Sequence, residues 1–197
     1  MAKRKPTAEY MRQLVIGQQY EAFIKTFFEN KLGITLHFHE TEEAQYKGEN
    51  EEGYEIKFDI KSLDTPNLYF ETHEKVKGDK LTWKESGVNR ADNTLFYCIG
   101  NTTEFFIFKK EKAKELTEIY KERIKQYLPT STGCLVSKGS VLDHCDMHFV
   151  FDGSEQGLQE LRDAVYNYQI EIKKEEQQIQ KTSIDNVLGK LKAKMGK

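Results

Sequence analysis

The chain has 197 residues with a formal net charge of −2, 38% hydrophobic, 31% charged and 12% aromatic residues. That length suits one domain with a core of its own, and the aromatic content argues against disorder. There is no run of about 18 apolar residues, so no membrane span is expected, and the near-neutral charge neither announces nor excludes a nucleic-acid partner.

Residues 1–6 are basic but lack the apolar stretch of a secretory signal, so none is expected. From Ala8 to Leu32 apolar residues recur at three- and four-residue steps (Leu14, Ile16, Tyr20, Phe23, Ile24, Phe27), which predicts a helix stopped by Gly33. Alternation over Ile34–His39 predicts a short strand, followed by an acidic loop from Glu40 to Gly53. Two further alternating strands, Glu55–Ile60 and Leu68–Lys75, flank a turn containing Pro66 and Asn67. A loop leads through Gly78 and Trp83 to strands Thr94–Ile99 and Glu104–Phe108, joined as a hairpin. Glu111–Gln126 reads as a helix closed by Pro129, with short strands near Cys134–Ser137 and His148–Phe151. A long helix from Glu155 to Gln180, a break near Thr182–Ser183, and a basic helix Ile184–Met195 carrying Lys190, Lys192 and Lys194 complete the chain. The expected division is a core over 1–153 and a helical extension over 154–197.

Ile56, Phe58 and Ile60 face one side of the first central strand, and Glu55, Lys57 and Asp59 the other. Folded as a hairpin, the two central strands set Asp59 beside Glu71 on a polar face. Paired carboxylates repel each other, and a divalent cation removes that cost. An ordinary amphipathic hairpin with one wet face shows the same alternation, and Glu55 and Lys57 read as a cross-strand ion pair.

The order of helix, strand ending in Asp59, and strand bearing Glu71 resembles the PD-(D/E)XK, or restriction-endonuclease-like, nuclease superfamily. The resemblance rests on Gly53–Asp59 followed by Asn67–Glu71, on Gly17–Glu21, and on Ser86–Val88 through Ala91–Asp92, and covers roughly residues 10–110. It implies an α/β core with a mixed central sheet flanked by helices, with the C-terminal helices as an extension. It further implies a metal-dependent DNA endonuclease, cutting both strands as a homodimer. The metal, Mg²⁺ or Mn²⁺, would be held by Asp59, Glu71, the Thr72 carbonyl and Glu21. The chain departs from the motif where a lysine should follow Glu71 by two residues, because His73 stands there. His73 or Lys75, about 6.8 Å further along the same face at ordinary strand rise, is expected to take the lysine's part. Otherwise the chain is a silent member that binds nucleic acid or protein without cutting. Trp83, Lys84, Asn89 and Arg90, an aromatic and basic group on the following loop, are the candidate DNA contacts.

His37 and His39 at i, i+2, with His144, Cys145 and His148, are candidate zinc ligands, although their spacing matches no zinc motif. Cys98, Cys134 and Cys145 are an odd set at wide spacing without a CxxC pair, so a reducing, cytoplasmic location is expected.

Overall fold

The structure, a computed structural model, describes residues 8–38, 50–76, 79 and 81–195, with side chains described for 9, 11–38, 50–76, 79 and 81–184. His39, Gly78, most of the acidic loop and the terminal lysine side chains lie outside the described residues.

Helix α1 (Ala8–Phe27) runs into one π-helical turn (Phe28–Leu32) and stops at Gly33, whose φ of 66° lets its N–H reach the Phe28 carbonyl. Among the described residues, 34–38 form no strand, and an isolated bridge joins Phe38 to Asn50. Strand β1 (Tyr54–Phe58) pairs parallel with β4 (Phe96–Gly100). β4 then pairs antiparallel with β5 (Glu104–Lys109), and β5 with β8 (Met147–Val150). A second, antiparallel sheet has the order β3 (Trp83–Glu85), β2 (Asn67–Lys75), β7 (Ser131–Ser137), β6 (Lys125–Leu128). The molecule is therefore α/β, with a mixed sheet, an antiparallel sheet and flanking helices that include a long C-terminal one.

Two apolar clusters hold these layers. Ile16, Tyr20, Ile24 and Phe27 of α1 pack with Ile56, Phe105 and Ile107 of the mixed sheet and with Leu158, Leu161 and Val165 of the last helix, α4 (Leu158–Met195). On the sheet's other face Tyr97, Ile99, Phe106 and Phe108 meet Leu68, Phe70, Cys134 and Val136 of the antiparallel sheet. Helices α2 (Lys110–Ile119) and α3 (Lys138–His144) close that cluster through Leu116 and Val141. Burial of such side chains contributes roughly 1.5–3 kcal/mol each. Arg12 of α1 holds both carboxylate oxygens of Glu175 at 2.7 and 2.8 Å, which ties the two helices together.

Three expectations are corrected. The β1–β2 hairpin does not form, because the strands belong to different sheets. β1 is buried on both sides and takes β4 as its partner, and Glu55, at 1% side-chain exposure, forms its ion pair with Lys57 of its own strand at 3.0 Å. The helix read over 111–126 ends at Ile119, and Gln126 and Leu128 instead pair with Thr132 and Ser131 around a turn containing Pro129. The break at Thr182–Ser183 is absent: the Thr182 hydroxyl donates to the Gln178 carbonyl at 2.9 Å, and the helix continues. Among the described residues no helix is long and apolar enough to cross a membrane.

Before β4, Asp92 and Lys110 form an ion pair at 2.5 Å with side chains 1% and 5% exposed. Burial alone would raise the Asp92 carboxyl pKa, but the Lys110 ammonium and the Thr94 amide hold it below the usual carboxylate range. A lowered folded-state pKa stabilises above the unfolded-state pKa, and that stability is lost as pH falls through the folded value. Asp92→Asn, which leaves the buried Lys110 charge unpaired, is expected to cost about 3–5 kcal/mol at neutral pH. In urea unfolding curves the gap to wild type should narrow as the wild-type carboxyl is titrated with acid.

Candidate functional site

Asp59 follows β1 directly. Its N–H donates to the Gly100 carbonyl at 2.8 Å, which ends the pairing of β1 with β4, and the chain then turns through a 3₁₀ segment (Ile60–Leu63). Its carboxylate accepts the Ser62 amide at 3.2 Å and, from the other sheet, the Tyr69 amide at 2.8 Å. Burial raises the Asp59 carboxyl above its ordinary pKa, against those backbone hydrogen bonds and the charge of Lys138. Each carboxylate oxygen has two lone pairs, so the two backbone bonds leave capacity for a cation.

Glu71 reaches the same place from β2. One of its oxygens accepts the Ser86 hydroxyl at 2.6 Å. Asp59 and Glu71 both line a cavity of about 520 Å³ between the two sheets, together with Lys57, Lys61 and Tyr69. The two carboxylate residues thus line one cleft from two sheets rather than pairing along a hairpin. Burial pushes the Tyr69 hydroxyl up to about 12, against its hydrogen bond with Ser131 and reinforced by the Glu71 charge, so it stays protonated.

A bulge decides where the remaining candidates lie. Glu71 pairs with Gly133, but His73 pairs with Thr132, leaving Thr72 as the extra residue. Such an insertion exchanges the faces of everything beyond it. His73 and Lys75 therefore leave the Glu71 face, and Glu74 takes it, which corrects the i, i+2 expectation. The His73 ring lies against the Thr72 hydroxyl at 3.1 Å, and the Lys75 ammonium sits 5.1 Å above the Trp83 ring. Neither lines the cavity. The Thr72 carbonyl accepts the Ser86 amide at 3.0 Å. Glu21 is half-buried on α1 and is not on the cavity wall. Lys84 pairs with Glu74 at 2.9 Å, and Asn89 and Arg90 close a 3₁₀ turn, with the Arg90 carbonyl held by Lys110.

Lys57 and Lys61 line the same cavity, Lys57 with its ammonium 3.0 Å from Glu55, and the charge that acts on Asp59 is that of Lys138. Sequence reading placed Lys57 on the Asp59 face but absorbed it in an ion pair. Its i, i+2 relation to Asp59 was the signal available.

Of the zinc candidates, His37 lies with Glu51 and Glu52, their ligand atoms within 4.8 Å of one another. The His37 ring is 2.5 Å from Glu52, whose second oxygen accepts the His37 amide. His148 instead stacks on Phe106 and contacts Glu104, and His144 bonds the Ser140 carbonyl.

Gly87 stands beneath Glu71 at a φ of +50°, and a Cβ there would lie 2.4 Å from the Glu71 carbonyl oxygen. Gly87→Ala is expected to cost about 1–3 kcal/mol, read by urea unfolding, and to displace the strand bearing Glu71. Gly139→Ala, with nothing within 4 Å of the added carbon, should leave stability within about 1 kcal/mol of wild type.

No family model, curated protein or solved structure matches the chain.

Proposed function

We propose that the chain is a restriction-endonuclease-like protein acting as a metal-dependent DNA endonuclease. The observation that carries this reading is the convergence of Asp59 and Glu71, from two different sheets, on one cavity that also receives Lys57 and Lys61. Hard carboxylate oxygens are the donors Mg²⁺ and Mn²⁺ prefer, and an incomplete protein ligand set suits a cation that keeps several waters. The two carboxylates fit such an ion, and Asp59 is held in place by backbone amides that do not exhaust its acceptor capacity. The bound cation supplies positive charge to the phosphate and acidifies the attacking water.

The chain's own groups supply the rest. Ser86 fixes the Glu71 carboxylate, and Ser62 and Tyr69 fix that of Asp59, so both acceptors are aimed before substrate arrives. Lys57, on the cavity wall, neutralises charge developing on the phosphate, which is the part the motif assigns to its lysine. Cutting both strands of a duplex takes two such sites, which a homodimer provides. The position of His73 and Lys75 off the Glu71 face favours one rival, a silent member of the fold that binds nucleic acid without cutting it.

The deciding experiment is cleavage of supercoiled plasmid and branched DNA with Mg²⁺ or Mn²⁺. Asp59→Ala and Glu71→Ala should each lower the rate by about two to three orders of magnitude, and removal of metal by chelator should abolish it. Absence of cleavage with DNA binding intact would favour the silent member. Lys57→Ala should lower the rate about a hundredfold. Lys75→Ala should change it no more than a few-fold; the reverse ranking would return the lysine role to β2.

A further inference from the structure

The cavity behind the two carboxylates is not built like a phosphate groove. Its floor is Tyr97 and Ile99, at 0% and 1% exposure, and its outer wall is Tyr127, Leu128 and Leu135. Tyr69 stands edge-on to Tyr127 with ring centroids 5.7 Å apart, and the Lys125 ammonium lies 4.9 Å from the Tyr127 ring centre. Lys57 and Lys61 bring positive charge to the same lining as Asp59 and Glu71, Asn67 adds an amide, and the exposed Leu128 stands at the mouth. A phosphate gains nothing from aromatic and leucine side chains. A nucleobase does, because its faces stack on aromatic rings and its edges accept or donate hydrogen bonds. A base inside an intact duplex cannot enter such a chamber without leaving the stack.

We propose that this chamber receives one unstacked nucleobase, so that the preferred substrate is DNA with an unpaired nucleotide next to the phosphate being cut. The proposal rests on the nuclease reading above and adds its substrate class. The about 520 Å³ of space lies within the range of small-ligand pockets. The composition of the lining also fits a nucleotide: its lysines suit the phosphate and its aromatic and aliphatic side chains suit the base. β6 carries the outer wall, with Lys125 and Leu128 exposed along an edge strand where DNA has access.

The test measures binding by fluorescence anisotropy, with Ca²⁺ in place of Mg²⁺, of three labelled DNAs of one sequence. These are a matched duplex, the duplex with one unpaired nucleotide, and the same bulge with an abasic unit in place of that nucleotide. The wild type should bind the unpaired-base DNA about ten-fold more tightly than the other two, because base stacking on tyrosine supplies the difference. Tyr127→Ala should erase the preference and Tyr127→Phe should keep it. If Tyr127→Ala does not fold, Leu128→Arg, at an exposed position, closes the same mouth and should erase the preference too. Equal binding of the base-containing and abasic bulges overturns the proposal, because flexibility alone then explains any bulge preference. So does a preference that survives Tyr127→Ala in a folded protein, and so does a failure to bind any of the three. Parallel cleavage assays in Mn²⁺ separate the two readings. Preference for the unpaired base without cutting leaves the chamber standing and removes the nuclease, whereas cutting with no preference does the reverse.

Discussion

The arrangement depends on how Asp59 is satisfied. A carboxylate at the end of a buried strand is costly unless its oxygens are hydrogen-bonded. Here the donors come from both sides of the molecule: the Ser62 amide from its own turn and the Tyr69 amide from the antiparallel sheet. The residue's own amide is tied to Gly100 of the mixed sheet. One side chain and its backbone therefore lock two sheets together where the cavity opens. Asn101 reinforces the lock, since its fully buried amide donates to the Ser62 hydroxyl at 2.7 Å while its carbonyl oxygen accepts the amides of Thr103 and Glu104. A group committed in this way is rigid, and rigidity is what a metal ligand needs if its geometry is to be ready before the ion arrives.

The Thr72 bulge is the second constraint. It leaves Glu71 on the cavity face that Asn67 and Tyr69 share and sends His73 and Lys75 elsewhere, at the cost of local pairing. Gly87 packs so closely on Glu71 that no side chain fits between them, and Ser86 beside it holds the Glu71 carboxylate. The segment after β3 thus braces the candidate ligand. Lys84 pairs with Glu74, and the backbone carbonyl of Arg90 accepts from Lys110.

Charge and apolarity share the cavity. The lining combines carboxylates and lysines (Asp59, Glu71, Lys57, Lys61) with tyrosine, leucine and isoleucine side chains. Part of the apolar lining depends on β6, which exists only because the chain after α2 returns as a strand to pair with β7. The C-terminal half of the fold therefore completes a cavity whose lining carboxylates and lysines lie in the N-terminal half.

Periodicity by itself determined α1 and its stop at Gly33, the apolar face of β1, the β4–β5 hairpin and the first turns of the apolar stripe of α4, because each is a local alternation of burial that neighbouring residues enforce. It also marked Asp59 and Glu71, since a carboxylate recurring beside apolar strand positions is legible without coordinates. Which strands pair was decided only by tertiary structure. β1 chose β4 over β2 because both its faces find cover there, and nothing in residues 54–75 alone encodes that partner. The bulge that removed His73 and Lys75 is a mismatch between β2 and β7, strands more than fifty residues apart, and local alternation has no access to it. The same holds for Lys57. Its face was readable from spacing, but its sharing of one cavity with Glu71 follows from two sheets closing on one another.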